Sequence, residues 1–151
     1  MSIPSQKGSM YIQRMADNLL AKSTSDRKVL IILGARQVGK TTLVKRFLLG
    51  KKAAYFNLDI DVDQNRFLAM ASLPPSDAMK SLNFPDYIVI DEAQRREETA
   101  RIIKGWYDSE VKAKMILLGS SSVNLLNQSA ESLTGRNEKI FWGRRFAPLA
   151  F

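Results

Sequence analysis

The chain has no cysteine and no histidine. Disulfide frameworks, thiolate zinc sites, cysteine nucleophiles, Ser-His-Asp triads and imidazole metal ligands therefore cannot be assembled from it. General base work must fall to a carboxylate. Long apolar runs are lacking too: they stop at about five residues, against the ~20 that a membrane-crossing helix needs. The start, MSIPSQKGSMYIQ, has no charged segment followed by an apolar core, so no secretory leader is expected and the expected location is cytoplasmic. No internal repeat or low-complexity tract occurs. A length of 151 residues suits one domain that buries about two thirds of its unfolded surface.

The information in the chain is concentrated between Val29 and Leu49, VLIILGARQVGKTTLVKRFLL. Five apolar residues reach Gly34 and a basic amphipathic run follows, which reads as strand, tight turn and helix. Within it Gly34, Ala35, Arg36, Gln37, Val38, Gly39, Lys40 and Thr41 fit the phosphate loop G-x-x-x-x-G-K-[ST], with both flanks of the required kind. A polyphosphate gathers several negative charges in a small volume. Amides at a helix N-terminus can converge on it, and the helix dipole adds to their field. Gly34 and Gly39 let backbone approach oxygen without a Cβ in the way. Lys40 is then placed for the β- and γ-phosphates and the Thr41 hydroxyl for Mg²⁺. Thr42 opens the helix proper, with Leu43, Phe47 and Leu48 expected to face the sheet.

Acidic residues are scarce around this loop. Residues 1–52 hold eleven Lys and Arg against Asp17 and Asp26, a balance of +9, whereas the remainder holds twelve basic and thirteen acidic residues, a balance of −1. Part of the excess serves the nucleotide. The rest fits a solvated basic face, a nucleic acid or an acidic protein partner.

Residues 10–22 carry Tyr11, Met15 and Leu19 on one face with Ile12, Ala16 and Leu20 beside them, the pattern of an amphipathic helix packing on the core. Residues 1–28 form this helix and its connection, and 29–151 the nucleotide-binding core. Gly50 closes the phosphate-loop helix. Ala53 to Leu58 reads as a strand ending in Asp59, Asp61 and Asp63; the latter two suit the first turn of a helix from Asp61 to Ser72, and Asp59 is a weak site candidate. A further short helix is expected over 76–84.

Tyr87-Ile88-Val89-Ile90 is an apolar run of the kind buried on both faces of a sheet, and Asp91 and Glu92 stand at its carboxyl end, where open α/β sheets bind ligands. Asp91 is expected to hold Mg²⁺, directly or through water, and Glu92 to polarise the water that attacks the γ-phosphorus. Residues 93–114 carry Ile102, Ile103, Trp106, Tyr107 and Val111 at helical spacing, a core-facing set. Met115 to Gly119 is another buried strand. Ser120, Ser121 and Ser122 follow it, and a hydroxyl of Ser120 or Ser121 can sense the γ-phosphate or cap the next helix. Val123 to Leu133 is helical in pattern and Glu138 to Trp142 a last strand. Arg136 between them is either a surface residue or an arginine finger reaching a γ-phosphate in its own or a neighbouring subunit.

Taken together, GARQVGKTTL, FNLDID, IDEAQR, LLGSSS and ESLTGR, in that order, resemble the AAA-type ATPase domain of bacterial and archaeal ATPases, in the P-loop branch with an additional central strand and a catalytic glutamate. The likeness runs from about Val29 to Leu149. It implies a three-layer α-β-α fold with a mainly parallel sheet, the phosphate-loop strand flanked by the sensor strand and the acidic strand beyond. It also implies Mg-dependent ATP hydrolysis. On this resemblance Lys40 and Thr41 match the Walker A pair, Asp91 and Glu92 the Walker B pair, Ser120 or Ser121 the sensor, and Arg136 the arginine of the S-L-x-G-R segment. Ala35 stands where such loops usually have proline. Family members continue past the P-L-x-F segment into a C-terminal domain, whereas this sequence stops at Phe151; an excised domain or a naturally short version is expected, with weak turnover if the further part covers the base or supplies an arginine. A nucleotide-dependent switch or nucleic-acid-associated module is the alternative function. GTP specificity is disfavoured because no N-K-x-D or T-K-x-D segment occurs, and a transporter ATPase because L-S-G-G-Q is missing.

Overall fold

The computed structural model describes Arg14 and residues 17–35, 39–120, 123–142 and 148–150. Strands β1 (Val29–Leu33), β2 (Ala53–Asn57), β3 (Tyr87–Asp91), β4 (Lys114–Gly119), β5 (Asn137–Trp142) and β6 (Pro148–Ala150) make one sheet in the order β2-β3-β4-β1-β5-β6. The first five are parallel, and β6 pairs antiparallel with β5. Every residue of β1 and β4 is buried. Their apolar runs, Val29 to Leu33 and Met115 to Leu118, are what a strand needs when helices cover both of its faces. As expected, β4 lies between β1 and β3, so the acidic strand is one strand removed from the phosphate loop. The short antiparallel β6 is an addition to the sequence reading.

Side-chain alternation divides the core into two layers. Val29, Ile31, Leu33, Ile88 and Ile90 face α3 (Asp61–Ala71), α4 (Pro75–Ser81), α5 (Thr99–Asp108) and α6 (Val123–Ser132), meeting Phe67, Met79, Ile103, Trp106 and Leu125. Leu30, Ile32 and Val89 face α1, described over 17–23, and α2 (Lys40–Phe47), meeting Leu20, Val44, Phe47 and Leu48. Each such side chain contributes about 1.5–3 kcal/mol on full burial, so the two faces together hold the strand ends in a fixed frame. The fold is the expected three-layer α-β-α architecture.

Several boundaries differ for identifiable reasons. Leu20 is fully buried, whereas Leu19 is only partly so; Tyr11 and Met15 lie outside the described residues. Val44 rather than Leu43 is the fully buried residue of α2. Pro75 is the first residue of α4, a place where its missing N–H has no partner to lose. Residues 93–114 hold a 3₁₀ turn, Ala93–Arg95, followed by α5. Among the described residues no helix is long and apolar enough to cross a membrane.

Candidate nucleotide site

The chain leaves β1 at Gly34, whose N–H donates to the Gly119 carbonyl at 3.2 Å and ties the loop to the end of β4. Gly39 caps α2 in the left-handed region, φ 83°, with open space where a Cβ would be, so conformation rather than crowding calls for glycine there. No side chain caps α2 and its first turn holds no acid, which leaves the opening amides unclaimed by a side chain. Ala35 and Thr42 are exposed; Arg36, Gln37 and Val38 lie outside the described residues.

Lys40 is only 7% exposed. Its Nζ donates to the carbonyls of Gly34 at 2.6 Å and Ala35 at 2.9 Å. Burial pushes the ammonium below the ordinary lysine value, and the carboxylates of Glu92 and Asp91 pull it part of the way back. Strand alternation puts Asp91, like Val89, on the α2 face of β3, and the first turn of α2 brings Thr41 to it: Thr41 Oγ1 donates to Asp91 Oδ2 at 2.7 Å. The other carboxylate oxygen, Oδ1, accepts the Glu92 N–H at 2.8 Å. Tyr55, from β2, also donates its hydroxyl to Asp91 Oδ2. Burial and then the Asp91 carboxylate raise the phenol well above its usual pKa, so it stays a donor. Glu92 leaves the strand with φ 53°, and its Oε2 accepts from Gln94 Nε2 at 2.6 Å.

Lys40, Thr41, Asp91 and Glu92 thus converge at the carboxyl ends of β1 and β3. Ser120 is half-buried at the end of β4 and lines a polar cleft of about 440 Å³ with Gln94, Arg95 and Asn124. Ser121 lies outside the described residues. Asp59 forms an ion pair with Arg95 at 2.6 Å across the ends of β2 and β3. Asp63 accepts the Asn57 N–H at 3.0 Å, a local structural role. Among the described residues no group of three or more acids is arranged to hold a metal.

Arg136 requires a correction. Its carbonyl accepts the Val29 N–H at 2.8 Å, which fixes it at the amino ends of the strands, and its Nε donates to Asp108 Oδ1 at 2.8 Å. A five-residue strand of about 16 Å separates that end from the phosphate loop. Arg136 does not reach a nucleotide in its own subunit.

Tyr55 and Gln94 were not singled out from the sequence. Tyr55 becomes visible only through register, two residues before Asn57, which pairs with Asp91. Gln94 follows the acid pair by two or three positions, and only the 3₁₀ turn folds it back onto Glu92.

The family model for the AAA domain matches residues 26–150, a span that contains all of these groups. The chain belongs to the AAA domain family. Two curated relatives, uncharacterized proteins of Mycobacterium tuberculosis and Mycobacterium bovis, are each 34% identical over 136 residues, covering 87% of this chain and 29% of their own length. The chain thus spans less than a third of these relatives. Among solved structures it is similar to a Walker-type ATPase of Pyrococcus abyssi (TM-score 0.59, 18% identity, 87% of this chain and 53% of that one). It is also similar to the ORC1 protein of Aeropyrum pernix, solved in complex with DNA (TM-score 0.59, 13% identity, 93% and 46%). At these identities the likeness establishes the P-loop ATPase fold. Family and fold together make this AAA domain a nucleotide-binding domain of the ATPase type.

Proposed function

We propose that this AAA domain binds ATP with Mg²⁺ and hydrolyses it, with Glu92 as the general base. The observation that carries the reading is the 2.7 Å contact between Thr41 and Asp91, which joins the phosphate loop to the acidic strand at one point. Lys40 supplies the positive charge for the β- and γ-phosphates, and the uncapped amides of α2 add further donors. Thr41 and Asp91 offer hard oxygen ligands of the kind Mg²⁺ prefers, and one carboxylate plus one hydroxyl suits an ion completed by phosphate oxygens and water. Bound there, the ion neutralises charge developing on the phosphoryl oxygens. Glu92 is held one residue beyond that ligand, where its carboxylate can take a proton from the attacking water. Ser121, the sensor candidate, and Arg36, Gln37 and Val38 of the loop are assigned by motif position.

Phosphate release by the wild type and by Glu92→Gln tests this. The variant is expected to keep ATP binding and to lose turnover by 10²–10⁴-fold, the usual range for removing a general base. Equal rates in both would remove Glu92 from the mechanism.

A second reading concerns a nucleic acid partner. Lys45, Arg46, Lys51 and Lys52 are exposed along and just after α2 in the N-terminal third of the chain, which carries the excess charge. Binding to such a ridge would weaken steeply with salt; no binding at low ionic strength would leave the cations as solvated charge.

A further inference from the structure

We propose that Gln94 is the positioning residue for the Glu92 carboxylate, and that residue 119 is glycine so that the Gln94 amide can lie between them. The inference rests on the hydrolytic reading given above.

Glu92 leaves the regular strand at φ 53° and ψ 44°, a backbone conformation that non-glycine residues seldom adopt. Outside the ladder, a glutamate side chain with three rotatable bonds has no strand neighbour to fix it. The 3₁₀ turn supplies one: Arg95 N–H donates to the Glu92 carbonyl at 3.0 Å, and the turn so closed carries Gln94 back beside Glu92. Gln94 Nε2 then donates to Glu92 Oε2 at 2.6 Å. This is a charge-assisted bond, and it also fixes which way the amide points, because the flipped amide would set oxygen against the carboxylate. The orientation has a cost: Gln94 Oε1 is buried and has no hydrogen-bond partner. A buried acceptor left unpaired needs a reason, and the grip on Glu92 provides it.

Gly119 is the independent observation. It does not occupy the left-handed region, so its backbone does not demand glycine. Its surroundings favour it: a Cβ would come within 2.6 Å of Gln94 Oε1 and 2.5 Å of Leu125 Cδ2, so both side-chain ends would have to shift. The bare end of β4 thus leaves the Gln94 amide and the Leu125 methyl group where they are. With one carboxylate oxygen held by Gln94, the other is left for water, and the glutamate is presented in one direction rather than sampled among rotamers.

Steady-state kinetics of Gln94→Leu, which keeps bulk and removes the donor, tests the proposal. The expected result is a fall in kcat of at least about ten-fold with KM for ATP and the ATP-induced rise in Tm unchanged. A role confined to stability would lower Tm without that split. Gly119→Ala is expected to reproduce the fall in kcat, and to add little in the Gln94→Leu background. A measurement independent of turnover is the side-chain amide resonance of Gln94 in ¹⁵N spectra, expected to move in Glu92→Ala and in Gly119→Ala. An unchanged or raised kcat in Gln94→Leu, or an amide resonance indifferent to Glu92→Ala, overturns the proposal. If the wild type releases no phosphate while the resonance still responds, the hydrolytic reading fails and the contact stands.

Discussion

Two lysines are buried to the same extent at opposite ends of the sheet. Lys40 at the carboxyl end and Lys114 at the amino end are each 7% exposed, and burial lowers the pKa of both. Each ammonium donates to two backbone carbonyls: Gly34 and Ala35 for Lys40, Asp26 and Lys28 for Lys114. The difference lies in the carboxylates. Lys114 pairs directly with Asp26 at 3.2 Å. Lys40 forms no salt bridge among the described residues, because Asp91 is engaged by Thr41 and Tyr55 and Glu92 by Gln94. A buried cation paired with its own acid completes the fold. One tied only to neutral dipoles, with acids near but engaged elsewhere, is still available to an incoming anion.

The largest expected effect separates the two directly. Lys40→Met is expected to weaken ATP binding by at least about 100-fold, since charged hydrogen bonds contribute about 1.5–3 kcal/mol each. The loss is read as the disappearance of the ATP-induced rise in Tm. Lys114→Met is expected to cost about 1–3 kcal/mol of stability in urea melts while the response to ATP persists, because it leaves the Asp26 and Lys28 carbonyls without their donor. The reverse pattern would exchange the roles of the two ends.

Next in size is Tyr55→Phe. The phenol is one of two hydroxyls holding Asp91 Oδ2, so its removal is expected to destabilise the unliganded protein by about 1.5 kcal/mol, checked by urea denaturation. No loss would mean that Asp91 is not kept from Lys40 by hydroxyl donors.

The smallest effect concerns pH at the amino end. Desolvation alone would raise the Asp26 pKa, but the hydrogen bond and charge of Lys114, with the Lys28 N–H, hold it below its ordinary value. A carboxyl depressed in the folded state adds stability above its unfolded pKa and loses it as pH falls through the folded one. Asp26 is half exposed, so the pair contributes about 0–1 kcal/mol. Asp26→Asn is expected to be less stable than the wild type at neutral pH and to approach it below the ordinary carboxyl range, in acid-titrated melts. A difference that persists undiminished into acid would remove the ion pair as its source.

What could be read in advance follows from the range of the interactions. The phosphate loop, the buried strands and the acid pair are local patterns, since an apolar run and a turn signal suffice for each. The order of the strands came with the family resemblance, and β4 does lie between β1 and β3. Tyr55 escaped notice because it meets Asp91 only through the parallel register of β2 and β3. For Arg136 the motif position leaves a surface residue and an arginine finger both open, because it says nothing of direction. Arg136 precedes a strand parallel to β1, and a residue that precedes such a strand lies at the end away from the loop.

The most direct test is a crystal structure with Mg²⁺ and a non-hydrolysable ATP analogue. The account predicts that Lys40 Nζ leaves the carbonyls of Gly34 and Ala35 for phosphate oxygens, with Thr41 and Asp91 at the metal. An analogue bound elsewhere, or one bound while Lys40 remains on those two carbonyls, would contradict it.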